Sequence, residues 1–417
     1  MIVDTEKFAG QCACGMEHRM TTKIAVIEPG CLARFDAIME QYGVSGKRCA
    51  LYDENTYAAA GTMRPKAQQE IILDPAGLHA NEIATAKVLD LLEEGVEVIV
   101  AVGAGTIHDI ARYCAHETGC RFVACPTAAS VDGFCSNVAA MTWHGYKKTL
   151  PAVAPEIVVA DIDIIRNAPI RLARSGVGDI LAKYTALADW RIARLLIGEH
   201  FCRKIHGIME EAVETVVSRT EGILTGDREA FAALTYALIM SGIAMQMMGS
   251  SRPASGAEHH VSHMIEMEAQ ALDAVSSALH GEKAGVGAVL AVGEYKRLAE
   301  IGSIGDRLKV YRPVPEAEIE AVYGPKLAQA IIGENREDCL SVVTPELLAE
   351  KWPQICAIVR QLPHEQELSA ILARLGAKHT LEDIQIPAAK KAILLDWSPL
   401  VRNRLTLMRV RRMIAQV

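Results

Sequence analysis

The sequence predicts a two-part fold: an α/β region with a doubly wound parallel sheet over residues 1–168, then an all-helical region over 169–417. Three observations carry this. A chain of 417 residues, half of them hydrophobic, is long enough for two cores. Its first part alternates short β-branched runs with amphipathic stretches, as a parallel sheet with crossover helices requires. Its second part carries apolar residues at helical spacing, broken by Gly and Pro.

In chain order, "KIAVIEPG" (23–30) leads into "CLARFDAIMEQYG", and "KRCALYDEN" (47–55) into a short helix. "VEVIVAVGAG" (96–105) leads into "TIHDIARYCAHETG", before the strand-like "RFVACPT" (121–127). After "PEIVVADIDIIRNAP" (155–169) the texture changes. Long helical periods follow in "RLARSGVGDILAKYTALADWRIARLL", "FCRKIHGIMEEAVETVVSRTEGIL" and "REAFAALTYALIMSGIAMQMMG". The expected boundary is at Pro169.

Bulk properties exclude several classes. A formal charge of −8 argues against a surface for nucleic acid or anionic lipid, because either needs a basic excess. The start, "MIVDTEKFAGQCACG", has no basic leader before an apolar run, and no later stretch reads as roughly 18 uninterrupted apolar residues, so a cytoplasmic chain without membrane insertion is expected. Of 11 cysteines, Cys31, Cys49, Cys114 and Cys125 sit in apolar runs, which suits reduced core thiols.

Several constellations can carry chemistry. Gly103, Ala104, Gly105 and Thr106 follow a strand and open a helix, where backbone N–H groups and the helix dipole favour a pyrophosphate. The same residues read equally as a tight turn, since the full Rossmann spacing is absent. Asp53, ending a strand, either accepts from ribose hydroxyls or caps the next helix. "PTAASVDGFCSN" around Asp132 is a small, polar loop at a strand's carboxyl end, where open α/β sheets bind ligands.

Asp179, behind two glycines, reads alone as a capping residue at a helix start. With His259 and His280, twenty-one positions apart, it makes one carboxylate and two imidazoles, a common divalent-metal set. His263 lies four residues after His259, on the same helical face. Any one histidine is unremarkable; the crowding of three in "AEHHVSH" asks for a ligand between them. Cys12, Cys14 and His18 in "CACGMEH" are three zinc-type ligands without a fourth, and read as a reduced surface hairpin of unassigned role.

Six ordered motifs carry a resemblance over nearly the whole chain: "GAGTIHDIAR", "PTAASVDGFCS", "SGVGDILAKYTALADW", "SRPASGAEHHVSH", "HGEKAGVG" and "SPLVRNRLTLM". Together they resemble the sn-glycerol-1-phosphate dehydrogenase family, within the iron-containing alcohol dehydrogenase and dehydroquinate synthase-like superfamily. The resemblance implies a Rossmann-like α/β domain followed by a helical metal- and substrate-binding domain. The activity it implies is reversible, NAD(P)H-linked reduction of dihydroxyacetone phosphate, a phosphorylated triose, to sn-glycerol 1-phosphate.

Carried over by position, the resemblance makes Asp179, His259 and His280 ligands of one divalent metal, which is zinc, nickel or iron. Gly103, Ala104, Gly105, Thr106 and Ile107 line the pyrophosphate of NAD(H) or NADP(H). Thr127, Ala128, Ala129, Ser130 and Ser136 flank the nicotinamide side, and Asp132, Asp179 and His263 contact substrate and carry the catalysis. Arg252, Lys148 and Lys183 are cationic candidates for its phosphate. A homodimer is expected on family grounds. Ala104 within the glycine turn and His108 before Asp109 depart from the family pattern, and "CACGMEH" resembles bacterial rather than archaeal members, which leaves a role outside membrane-lipid synthesis open. A polyol dehydrogenase, a dehydroquinate synthase-like lyase and a non-catalytic binding protein are the competing expectations.

Overall fold

The computed structural model describes residues 1–415. By internal contacts these residues divide into two compact units, 1–180 with 207–251, and 181–206 with 252–417, the last two positions lying outside the description. The expected single boundary at 168/169 therefore falls inside the first unit. Sequence texture marks where helices begin, whereas a unit is defined by what those helices pack on. Helix Arg228–Met248 packs on strand Ile24–Glu28 and on the turn Gly133–Cys135, so it belongs with the sheet.

The first unit holds a seven-stranded sheet. We number its strands β1 (Ile2–Asp4), β2 (Ile24–Glu28), β3 (Arg48–Asp53), β4 (Gln69–Leu73), β5 (Val98–Gly103), β6 (Arg121–Pro126) and β7 (Ile157–Asp161). Their spatial order is β1-β2-β7-β6-β5-β3-β4. All neighbours are parallel except β1, which runs antiparallel along β2 and blunts that edge. The doubly wound fold is thus as expected; β1, β4 and the hairpin Val138–Trp143/Tyr146–Pro151 are additions to it. The central strands are buried on both faces, and Phe35, Ile38 and Met39 of helix Phe35–Gln41 cluster with Val100, Val102 and Val123 of the sheet.

The connection out of β3 runs to β4 on one side, and that out of β5 runs to β6 on the other. Their carboxyl ends therefore flank a topological switch point, the place where an open parallel sheet leaves a crevice. Asp53 ends β3 and Gly103 ends β5, in the parallel register that sets Leu51 opposite Ala101.

Helix Arg228–Met248 is long and apolar enough to cross a membrane by length and composition, contrary to the reading of the sequence. Of its most apolar window 83% is buried within the fold, which accounts for its hydropathy. All eleven cysteines are free, and burial pushes the thiols of Cys31, Cys49 and Cys114 up to about 12, as befits inert core groups.

The second unit is helical. We name α1 (Lys183–Ile197), α2 (Ala257–Glu266) and α3 (His280–Ala299). The buried carboxylate of Asp189 on α1 ties this unit together. It accepts from Ala257 N–H of α2 at 3.0 Å, from Tyr295 O–H of α3 at 2.7 Å and from Leu407 N–H at 2.8 Å. Helices Pro345–Arg360 and Glu365–Arg374 pack on α3 from outside.

His108, in helix Gly105–Thr118, lies buried against the rings of Phe122 and Phe134 with Nδ1 donating to Ala104 O at 2.9 Å. Burial, reinforced by Arg112, brings its pKa down to about 3, although the Ala104 carbonyl opposes the shift. A histidine depressed in the folded state contributes stability that is present above its unfolded value near 6.5 and lost as pH falls toward 3. We expect urea midpoints to fall across that window, and His108→Leu to remove one proton's share of the slope, about 1.4 kcal/mol per pH unit. An unchanged slope in the variant would contradict the assignment.

Candidate active site

In the first unit, Gly103 to Ile107 and Thr127 to Ser130 follow the carboxyl ends of neighbouring strands β5 and β6, and Asp53 ends β3 beside them. Helix Gly105–Thr118 starts at Ala104, where no side chain caps the first turn, so its leading N–H groups are available to an anion. The glycines also have a packing role: a Cβ at Gly103 would lie 2.6 Å from Ile107 Cβ, and one at Gly105 would lie 2.9 Å from Val131 Cγ2. Asp109 is in the second turn, 3.6 Å from the Arg112 guanidinium, and not in the first turn.

Asp53 caps helix Glu54–Ala60. Its Oδ1 accepts from Thr56 N–H at 2.8 Å, while Thr56 Oγ1 accepts from Asp53 N–H at 3.0 Å. The capping role is therefore present, and one carboxylate oxygen is committed to it.

The loop from Thr127 to Val138 is held from behind by Arg112, which sequence reading passed over. Its fully buried guanidinium donates to the carbonyls of Phe134 at 3.2 Å, Ser136 at 2.6 Å and Val138 at 3.3 Å. Ser136 Oγ accepts from Val138 N–H at 3.1 Å, Thr127 N–H donates to Gly103 O at 2.9 Å, and Ser175 Oγ donates to Ser130 O at 3.2 Å. Gly176 lets its helix rest on this loop, since a Cβ there would fall on Ala129 O.

Asp179 is fully buried and lies near the end of helix Ile170–Leu181, so it is no cap at a helix start. Its Oδ2 accepts from Asp132 N–H at 3.0 Å, and Asp132 Oδ2 accepts from Ser241 Oγ at 2.8 Å. The two carboxylates named from the sequence thus belong to one hydrogen-bonded series.

In the second unit, the rings of His259 and His263 on α2 and His280 on α3 cluster with centroids 5.2 to 6.0 Å apart. Two glutamates that the sequence reading did not use set their orientation. Glu258 Oε1 lies 2.8 Å from His259 Nδ1, and Glu266 Oε1 lies 2.7 Å from His280 Nδ1. A carboxylate oxygen only accepts, so each Nδ1 carries a proton and each Nε2 lone pair points away. That is the tautomer and second shell of metal-ligating imidazoles.

Glu258 is fully buried. Burial pushes its carboxyl up, but the hydrogen bonds from His259, the Thr185 hydroxyl and the Gly256 N–H outweigh this and hold it below the ordinary range. Gly256 is required here because a Cβ would come within 2.7 Å of Asp189 Oδ2 and 2.8 Å of Ala186 Cα. Gly287 of the "GVG" run lets α3 approach α2, since its Cβ would be 2.5 Å from Glu258 O. His263 is kept neutral: burial lowers it well below its usual value, Arg402, His280 and His259 add to that, and Glu266 opposes.

Of the cationic candidates, Arg252 is occupied in structure. It is buried, pairs with Glu199 at 2.9 Å and donates to the carbonyls of Asp189 and Leu405. Lys148 is exposed on the hairpin, and Lys183 is fully buried on α1. Arg402 and Arg404, from the "SPLVRNRLTLM" motif, are instead the guanidinium groups whose charge bears on His260, with Arg402 also acting on His263.

Residues 26–169 match the family model of iron-containing alcohol dehydrogenases. The fold agrees: an iron-containing alcohol dehydrogenase from Corynebacterium glutamicum superposes with a TM-score of 0.60 at 16% identity, covering 97% of this chain and 98% of that one. A probable glycerol dehydrogenase from Sinorhizobium meliloti gives 0.56 at 20% identity, covering 81% and 98%. These likenesses show the fold. Among curated sequences, a glycerol-1-phosphate dehydrogenase [NAD(P)+] of Geobacillus stearothermophilus is 31% identical, covering 96% of this chain and 95% of the relative. That of Bacillus licheniformis is 36% identical over 76% of this chain and 83% of its own length. The chain belongs to the glycerol-1-phosphate dehydrogenase family, as its motifs resembled, and NAD(P) and a metal are what that family leads one to expect.

Glu258→Gln and Glu266→Gln retain shape but lose the charge that orients His259 and His280. Each is expected to weaken metal retention by about 10–100-fold in competition with a chelator. Retention equal to wild type in both would show that these glutamates do not support the ligands.

Proposed function

We propose that this chain catalyses the reversible reduction of dihydroxyacetone phosphate to sn-glycerol 1-phosphate with NADH or NADPH. The observation that carries the chemistry is the pair of imidazoles, His259 and His280, each with Nδ1 fixed by a glutamate. The family resemblance supplies Asp179 as the third donor, giving one carboxylate and two imidazoles for a divalent metal ion. Zinc, nickel and iron all suit such donors, and three protein ligands leave positions open for substrate oxygens. When bound, the metal supplies Lewis-acid polarisation of the ketone and the nicotinamide supplies the hydride.

The chain's own groups do the rest. Gly103, Ala104, Gly105, Thr106 and Ile107 receive the pyrophosphate at an uncapped helix start, and Asp53 presents its second oxygen to the adenosine ribose. Thr127, Ala128, Ala129, Ser130 and Ser136 form the nicotinamide side, with Arg112 holding their loop in place. Asp132, accepting from Ser241, holds a substrate hydroxyl. Neutral His263 donates a hydrogen bond that orients a substrate oxygen and relays a proton to it, taking one up at its other ring nitrogen as it releases the first. Arg402 and Arg404 provide the positive field for the phosphate, the role that Arg252 is not placed to fill. We further propose a cytoplasmic homodimer.

The test is NADH oxidation after chelation and stepwise return of zinc, nickel and iron. Turnover is expected with dihydroxyacetone phosphate and a far smaller rate with dihydroxyacetone. Asp179→Asn and His259→Ala are expected to lower kcat/KM by more than the roughly 100-fold ceiling for an outer-shell change. Equal rates with both ketones would favour a polyol dehydrogenase. No net change in NADH absorbance would favour a lyase of the superfamily.

A further inference from the structure

The segment "CACGMEH" plays no part in the proposed reduction, and all of it lies within the first unit. Strands Gly10–Gln11 and Glu17–His18 pair antiparallel, and the turn between them is closed by Cys12 N–H donating to Met16 O at 3.0 Å and Gly15 N–H donating to Cys12 O at 2.9 Å. Gly15 sits at φ +93°, a conformation that favours glycine. The turn gathers three groups: the sulfurs of Cys12 and Cys14 and a ring nitrogen of His18 lie within 4.8 Å of one another. Only Ala13 separates the two cysteines in sequence, and Cys14 Sγ lies 3.7 Å from His18 Nε2.

His18 is 1% exposed, and its Nδ1 lies 2.8 Å from the carbonyl of Met247, near the end of helix Arg228–Met248 in the same unit. A carbonyl only accepts, so Nδ1 carries the proton and Nε2 offers its lone pair to the Cys14 thiol. A nucleophile, a base within reach of it and a third group that orients the base is an arrangement that activates a thiol. A second thiol beside the first captures an oxidised sulfur before it reacts further. Reagents can reach this pair, since Cys12 and Cys14 are half-buried and in no disulfide. Eight of the other cysteines are buried, and burial pushes the thiol of Cys339, the remaining half-buried one, up to about 11.

We infer that Cys14 and Cys12 are a thiol pair that a hydroperoxide oxidises reversibly to a disulfide, with His18 as the base. The Cys14 thiol gives its proton to His18 Nε2, and its sulfur attacks the terminal oxygen of the peroxide. An S–O bond forms and the O–O bond breaks. The leaving oxygen takes the proton from His18 and departs as an alcohol, or as water when the oxidant is hydrogen peroxide. The sulfur of Cys12 then attacks the sulfenic acid on Cys14: the S–S bond forms, the S–O bond breaks, and hydroxide leaves as water with the proton of Cys12. The two thiols lose two electrons to the peroxide oxygens, and a dithiol reductant returns them.

The test exposes the full-length protein, purified under reduction, to an equimolar amount of hydrogen peroxide. Tryptic cleavage after Lys7 and Arg19 gives peptide 8–19, which holds Cys12 and Cys14 and no other cysteine. In wild type this peptide is expected to become two hydrogens lighter and to regain them with dithiothreitol, and Cys339→Ser is expected to behave alike. Cys12→Ser is expected to stop at a sulfenic acid on Cys14, captured as an adduct by dimedone, and Cys14→Ser to give neither disulfide nor adduct. His18→Asn is expected to slow disulfide formation at pH 7 on the order of tenfold, because an unassisted thiol is only a few per cent ionised there. That deficit should close above about pH 9, where thiols ionise without a base, whereas a mere change of hairpin shape would slow both alike. A peptide 8–19 that stays reduced in folded wild type overturns the inference without recourse to any variant. Zinc held by reduced wild type and lost in Cys14→Ser, with the peptide inert to peroxide, overturns it in favour of a metal site. Neither result touches the proposed reduction of dihydroxyacetone phosphate, whose own failure is read from NADH oxidation.

Discussion

The helical unit's chemistry depends on the contact between Glu258 and His259. A carboxylate with no exposure to water is costly unless it is well supplied with hydrogen-bond donors. Here Gly256 N–H, Thr185 O–H and His259 Nδ1–H are those donors. The anion in turn fixes the start of α2 and the tautomer of the imidazole beside it. Asp189 braces the same turn through Ala257 N–H and reaches α3 through Tyr295. Glu258 thus fixes the tautomer of His259, and Asp189 fixes the spacing of the helices that carry the histidines.

The sheet unit solves a related problem with a cation. Its loop from Thr127 to Val138, the proposed nicotinamide side, has little regular structure, so its backbone carbonyls need donors. Arg112 supplies three contacts from one guanidinium, and Ser175 and Gly176 support the loop from the side. Such a loop is ordered by buried hydrogen bonds, which leaves its small side chains unburdened and able to face a cofactor. The link from Asp132 N–H to Asp179 then transmits the loop's position to the end of helix Ile170–Leu181.

Much of this was legible in the sequence. Strand-to-helix periodicity gave the parallel sheet, because buried strands and amphipathic crossovers differ in period. The crowding of His259, His260 and His263 pointed to a shared ligand, and the i, i+4 spacing of His259 and His263 set both on one helical face, where a second helix brings His280 rather than His260 to them. What escaped was relational. Glu258 and Glu266 are ordinary acidic residues until their partners are known, although both stand within three positions of a histidine already singled out. Arg252 looked available for a phosphate because a sequence does not show that Glu199 and two carbonyls occupy it. The unit boundary was missed for the same reason, since periodicity identifies the helix Arg228–Met248 without saying that it covers a sheet.

The approach of α3 to α2 over Gly287 has a bearing on redesign. Main chain lies where a methyl group would go, so the distance between the helix bearing His259 and the helix bearing His280 is set by backbone against backbone. At the proposed metal site, a scaffold braced in this manner has little freedom to resize the coordination sphere. Attempts to retune the preferred ion should therefore alter the basicity of the imidazoles through Glu258 and Glu266, and leave the interhelical contact untouched.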